Sequence, residues 1–274
     1  MTPSPEASPF GRLLRQWRGV RGLSQLALSL AAGLSTRHLS FLETGRSQPS
    51  RAMVLRLAEA LEVPLRERNA LLAAAGYAAL YRETALDAPE MEPLRKVLRF
   101  LLERQQPYPA VLVGRAGHVL DANEASARVL GAFVGPGAVW RQQPPNVLRL
   151  TLHPEGLRPY IVNWADVASS LLRRVQREAA AAGQDPELQA LVQELLALPG
   201  LPAEATEAPL TGPLELVLPV HLKRDALELR LFSTFTSVGT PQDITLEELR
   251  IESFMPADAA SDAAIRRLAA DGGV

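Results

Sequence analysis

Between residues 10 and 45 the chain is divided by glycines into three short helical segments, and this spacing restricts its fold more than any other feature. Leu13, Leu14, Trp17 and Val20 fall on one stripe with arginines opposite, which predicts an amphipathic helix over 10–21 that stops at Gly22. Ser24 is placed to cap a second helix, Gln25 to Ala32, in which Leu26, Ala27 and Leu30 are spaced to pack inward. Gly33 supplies a turn. Ser35 then opens a third helix, Thr36 to Thr44, with Leu39 and Leu42 toward a core and Thr36, Arg37, Ser40 and Phe41 outward, closed by Gly45. Two helices joined by a glycine-containing turn of about four residues have the geometry of a helix-turn-helix.

Charge is distributed to match. From Phe10 to Arg51 the basic residues are Arg12, Arg15, Arg18, Arg21, Arg37, Arg46 and Arg51, against the single acid Glu43, although the whole chain is close to neutral. The remainder is therefore net acidic. A basic module joined to an acidic one suits a chain of which only the first part meets a polyanion, because neutralising phosphates releases counterions. On charge alone, a solvated arginine-rich helix face is an equal reading.

Residues 23–49, LSQLALSLAAGLSTRHLSFLETGRSQP, resemble the DNA-binding segment of the Xre or Cro-like phage-repressor class. That resemblance implies a five-helix domain, and two further stripes fit it: Val54, Leu55, Ala58 and Leu61 over 50–61, then Leu71 and Leu72 over 65–75. It implies that Thr36, Arg37, Ser40 and Phe41 face base edges of double-stranded DNA. Gln25, Ser35, His38, Arg46, Ser47 and Gln48 would then meet phosphates. Arg37 is the strongest candidate for reading sequence, since a guanidinium bonds both guanine acceptors at once. Phe41 either touches a thymine methyl or covers the domain's edge. His38 either contacts phosphate or is simply solvated, and Glu43 is read as structural.

Beyond Gly76 the composition turns linker-like, and from Pro93 a helix with Leu94, Val97, Leu98, Leu101 and Leu102 on one stripe is predicted to cover a second domain or the same helix of a second chain. PAVLVGR and GHVLDA read as a hairpin around Arg115 to Gly117, followed by a helix from Asn123 to Leu130. Ile161, Ala165, Ala168, Leu172, Val175 and Ala179 predict a long helix, and Pro186 to Leu198 a second. Strict alternation over Leu214 to Lys223, alternation over Ala226 to Ser237, and the stretch Leu249 to Met255 predict three strands. Together these predict an α+β domain with one five-stranded antiparallel sheet and its helices on one face.

The stretches HLSFLETGRSQPSRAMVLRLAEALEVPLRERNALLAAAGY, QQPYPAVLV, NVLRLTLHPEGLRPYIVNW and LRIESFMPAD are similar, across nearly the full chain, to the MmyB-like family of Xre-type regulators. That resemblance implies a PAS-like C-terminal domain holding a small apolar ligand such as a fatty acid. The expected organisation is a disordered tail over 1–9, a helix-turn-helix domain over 10–76, a linker over 77–92, the PAS-like domain over 93–258 and a C-terminal helix or tail over 259–274. Val111, Trp164, Leu171, Leu172, Val175 and Phe235 are candidates to line the ligand site, or else part of a filled core. Asn146, Arg149, His153 and Asn163 either anchor a ligand headgroup or tie down an irregular loop.

Other chemistries find little support. With no cysteine and four scattered histidines, the chain offers no thiolate site, no metal ligand set, no nucleophile elbow and no phosphate loop. Glu247 and Glu248, if on a strand, point to opposite faces and cannot act as paired carboxylates. No catalytic residue and no cofactor beyond that apolar ligand is nominated. No apolar run reaches the length of a membrane span, and a cytoplasmic homodimer on DNA is expected. The alternative is a protein-binding or antitoxin-like regulator without a small-molecule ligand.

Overall fold

The computed structural model describes residues 8–134, 145–182, 185–203 and 219–271. The chain divides into two compact units, one of residues 1–84 with 180–184 and 240–247, the other of 85–179, 185–239 and 248–274.

Residues 8–84 of the first unit form five helices: α1 (Pro9–Val20), α2 (Gln25–Ala31), α3 (Thr36–Glu43), α4 (Arg51–Ala60) and α5 (Leu65–Ala74). A serine precedes each of the first four, and its hydroxyl accepts a backbone N–H of the first turn: Ser8 from Gly11, Ser24 from Ala27, Ser35 from His38 and Ser50 from Met53. Each cap satisfies a donor that helix geometry would leave open, stabilising the helix by about 1 kcal/mol. Phe10, Leu14, Trp17, Leu28, Leu39, Leu42, Val54, Leu57, Leu71 and Leu72 form one buried cluster. Truncating any of these leucines to alanine is expected to cost about 2 to 5 kcal/mol.

Two glycines are required by position. Gly33 has a φ of +64° at the turn between α2 and α3, and a Cβ on Gly11 would lie 2.5 Å from the Glu43 carbonyl oxygen, where α1 meets α3. The expectation for α2 is corrected: Leu28 faces the core, while Leu26 and Leu30 are 59% and 72% exposed. In a seven-residue helix with five apolar positions the stripe's phase is underdetermined, and packing on Leu39 and Leu42 selects Leu28. Val20 is also exposed rather than packed.

Residues 77–84 are held against α5. The Asn69 side chain donates to the Tyr81 carbonyl and accepts from the Leu80 and Tyr81 amides, and the Tyr77 hydroxyl donates to the Pro49 carbonyl.

The second unit begins with α6 (Glu92–Arg104) and contains a five-stranded antiparallel sheet in the order β2-β1-β5-β4-β3. Its strands are β1 (Ala110–Val113), β2 (Val119–Ala122), β3 (Val220–Arg224), β4 (Leu227–Ser237) and β5 (Arg250–Pro256). The helices are α7 (Glu124–Phe133), α8 (Val147–Leu152), α9 (Trp164–Ala181), α10 (Pro186–Leu196) and α12 (Ala259–Asp271); the short α11 (Ile244–Glu248), between β4 and β5 in sequence, belongs to the first unit up to Glu247. The predicted β1–β2 hairpin, the helix that follows it and the two long helices are present, and Asn123 caps α7. Residues 214–218 of the expected third strand lie outside the described residues.

Helices cover both faces of the sheet, not one as expected. Leu98 and Leu102 of α6 pack with Ala110, Leu112 and Ile251. The alternate face carries Leu222, Leu229, Leu231 and Phe254, against Val129 and Phe133 of α7, Val167 of α9 and Ile265 of α12. Glu247 and Glu248 end the one-turn helix α11, just before β5.

Candidate nucleic-acid interface

The first turn of α3 presents Ser35, Thr36 and Arg37 together. Arg37 is exposed, and its guanidinium carbon lies 5.4 Å from the centroid of the Phe41 ring one turn on. Arg46 lies 5.9 Å from the same ring and is also exposed. Phe41 is half-buried, so its ring holds two cations on one surface instead of standing free. The Thr36 hydroxyl lies 3.1 Å from that of buried Ser29, which ties the start of α3 to α2. Ser40 and His38 are half-buried, and the Ser40 carbonyl accepts from the Thr44 hydroxyl at 2.8 Å.

The positions expected to meet phosphates divide in the same way. Ser35 uses an oxygen lone pair for its cap and keeps its proton as a donor. The backbone N–H groups of Arg46 and Ser47 both point to the Phe41 carbonyl, so their side chains and Gln48 alone are offered outward. Gln25 donates through Nε2 to Glu43 Oε2 at 2.8 Å, which leaves that nitrogen a second proton.

Glu43 organises the interior of this surface. Its carboxylate is fully buried and accepts from Arg18 Nε at 2.6 Å and Nη2 at 3.1 Å as well as from Gln25, with Arg15 at 3.6 Å. Burial pushes its pKa upward, yet the hydrogen bonds from Arg18 and Gln25 and the two guanidinium charges outweigh that and hold the carboxyl below the usual range. Two arginines of the basic stretch are thereby committed internally: Arg18 to Glu43 and the Leu23 carbonyl, Arg21 to the Leu61 and Glu62 carbonyls. Arg37 and Arg46 have no acidic partner among the described residues and keep their charge toward solvent.

In the second unit the residues expected around a ligand are dispersed. Leu172 and Val175 are fully packed on α9, with Leu171 and Trp164 half-buried beside the main cluster. Val111 and Phe235 are brought together in the sheet, each opposite Glu252 of β5. The polar candidates hold backbone or ion pairs. Asn146 caps α8 and donates to the Ala116 carbonyl, and Asn163 bonds Pro219 and His221. Arg149 makes two bonds of 2.7 Å to Glu194, and His153 accepts the Glu155 amide. An apolar groove of about 240 Å³ lies elsewhere, between α6 and the β4 and β5 strands, lined by Leu94, Val97, Leu98, Leu101, Leu249 and Ile251 among others.

Residues 94–268 match the family described as the MmyB-like transcription regulator ligand binding domain, and residues 9–71 match a helix-turn-helix domain. The chain belongs to the MmyB-like transcription regulators. A Bacillus subtilis (strain 168) protein described as the uncharacterized HTH-type transcriptional regulator RghRB is 37% identical over 84 residues, 30% of this chain. The match spans 58% of that relative's length. The structure of an RNA-binding light-oxygen-voltage receptor aligns over 96% of this chain and 63% of its own at 11% identity, with a TM-score of 0.26, too low to equate the folds.

As an MmyB-like regulator the chain joins a helix-turn-helix domain to the ligand binding domain of a transcription-regulator family. No described helix is long and apolar enough to cross a membrane. Sequence reasoning missed Glu252 of this MmyB-like regulator, a carboxyl only 6% exposed. Burial raises its pKa, partly offset by the Arg174 charge, a hydrogen bond from Ser233 and the Arg250 charge. The available signal was an acid breaking the apolar run of β5.

Proposed function

We propose that this regulator sets the first turn of α3 in the major groove, with Arg37 reading a base edge beside Thr36, Ser40 and Phe41. Gln25, Ser35, His38, Arg46, Ser47 and Gln48 take the flanking phosphates. It works as a homodimer on paired half-sites and responds to a small apolar, fatty-acid-like ligand in a PAS-like C-terminal domain. The observation that carries the DNA reading is the exposed Arg37 guanidinium at the front of a capped helix, steadied by Phe41 and with no acidic partner among the described residues. A guanidinium so held loses little conformational freedom on bonding guanine O6 and N7. The sheet order β2-β1-β5-β4-β3 supports the PAS-like reading. The family's ligand-binding description supports a small molecule, for which Val111 and Phe235, each opposite Glu252, and the half-buried Leu171 and Trp164 are the candidate contacts.

Selection of binding sites from a random duplex library, followed by fluorescence anisotropy on the selected site across a salt series, tests this. Sequence-selective binding that weakens steeply with salt is expected. Binding that ignores sequence, or none, would overturn it. Organic extraction of the purified protein and mass spectrometry tests the ligand; recovery of no apolar molecule, with no shift in melting temperature on adding medium-chain or long-chain fatty acids, would remove that part.

A further inference from the structure

From the rim of the groove beside β4 and β5 onto its outer face, α6 carries an apolar stripe that no other element covers among the described residues. Val97 is 54% exposed and Phe100 52%, with Leu101 and Pro93 continuing the stripe, while Leu98 and Leu102 on the inner face are buried against the sheet. Thirteen residues give a helix about 20 Å long, so the stripe runs most of its length. Exposed apolar surface of this extent on one element marks a contact with another molecule.

The charges beside the stripe indicate which molecule. Lys96 and Glu103 are both exposed, seven residues apart, hence two turns apart and within about 20° of each other around the axis. They flank the stripe on one side. A two-fold axis crossing the helix between them, next to Phe100, sets Lys96 of each copy opposite Glu103 of the other. In a parallel pair the two-fold axis runs along the helices and carries the two Lys96–Glu103 flanks to opposite sides, so that neither charge meets a partner. The antiparallel pairing also sets each helix's C-terminal end, where Arg104 lies 4.9 Å from the Phe100 ring centroid, beside the partner's N-terminal end with its Glu92.

We propose that α6 is the self-association surface of this regulator: it pairs antiparallel with α6 of a second copy through Val97, Phe100 and Leu101, with Lys96 and Glu103 as reciprocal ion pairs. The inference rests on the dimer reading above and names its interface. One helix face is smaller than the roughly 800 Å² per partner of a standard interface, so the free dimer belongs to the weak, reversible class.

Sedimentation equilibrium of the full-length protein tests it. A monomer–dimer equilibrium is expected, with Phe100→Asp raising the dissociation constant by about tenfold or more while circular dichroism stays unchanged, as befits an exposed side chain. Lys96→Glu and Glu103→Lys should each weaken the dimer, and the double variant should recover most of the loss. A wild-type protein that stays monomeric to about 100 µM, far above the range of specific dimers, overturns the proposal. So does a dimer indifferent to Phe100→Asp, or one that the charge swap fails to restore. In each of those cases sequence-selective DNA binding can persist, so failure here is distinct from failure of the DNA reading.

Discussion

Arg18 grips Glu43 with two hydrogen bonds, from Nε at 2.6 Å and Nη2 at 3.1 Å, across 25 residues of sequence and inside the helix-turn-helix. The pair joins the end of α1 to the end of α3, and Gln25 joins it from the start of α2. One buried carboxylate thus fixes the relative placement of the three helices that present the proposed DNA surface.

Replacing Glu43 by Gln leaves the Arg18 charge without its counterion, and breaking a buried pair in this way typically costs about 3 to 5 kcal/mol. Chemical denaturation followed by Trp17 fluorescence measures it. Because the folded-state pKa lies below the ordinary value, the stabilisation is complete above the ordinary carboxylate range and is lost as pH falls through the depressed pKa. Wild-type protein should therefore lose stability on acidification over that window more steeply than Glu43→Gln. Parallel acid curves for the two proteins would show that Glu43 does not carry this dependence.

Arg37 and Arg46 share the Phe41 ring but should fail differently. Arg37→Ala is expected to lower discrimination between the selected site and a single-base variant by about 1 to 3 kcal/mol. Arg46→Ala should weaken all duplexes evenly and reduce the salt slope by about one. Anisotropy titrations on both duplexes at three salt concentrations separate these effects. Equal losses from the two variants on every duplex would leave Arg37 a phosphate contact only.

The helix boundaries and caps of the first unit were legible because Ser24, Ser35, Gly22, Gly33 and Gly45 act locally, within a turn of their own positions. The commitments of Arg18 and Arg21 were not, since their partners, Glu43 and the Leu61 and Glu62 carbonyls, lie 25 and about 40 residues away. Charge counting treated all seven arginines of that stretch alike, and a lone acid among them was the one available hint. In the second unit, alternation in β4 and the apolar stretch of β5 identified strands but not how many faces are covered. Leu112 and Val111, or Ile251 and Glu252, look equally inward when helices pack on both sides.

Glu252 should respond to pH with the opposite sign to Glu43. Its folded-state pKa is raised, so its contribution is full below the ordinary carboxylate range and is lost as pH rises through the raised pKa. Arg174 and Arg250 soften this loss without removing it. Glu252→Gln, which keeps the shape and a hydrogen-bonding group for Ser233, should therefore be at least as stable as wild type at neutral pH and show no such loss. Thermal melts from acid to neutral pH give the comparison. A clear destabilisation by Glu252→Gln at neutral pH would mean that the ionised carboxylate, paired with Arg174, is the stabilising form.

Of the helices α1 to α5, α5 alone lacks a serine cap: Pro64 stands at that position and offers no side-chain acceptor. The acceptor comes instead from Glu247, 182 residues later, whose Oε2 takes the Leu65 N–H at 2.6 Å. Nearby, Asp243 accepts from the Thr84 amide and hydroxyl, and the Ile244 N–H bonds the Arg82 carbonyl, so residues 240–247 are fastened to the first unit at two places. A carboxylate at a helix N-terminus serves both as acceptor and as a charge opposing the helix dipole. Glu247→Ala removes both and should lower stability by about 1 kcal/mol. Glu247→Gln keeps an acceptor and should lose less. Amide exchange at Leu65, Arg66 and Glu67 is the direct measure, and it should accelerate more in Glu247→Ala than in Glu247→Gln. Unchanged exchange at these three amides in both variants would show that α5 closes its first turn without help from Glu247.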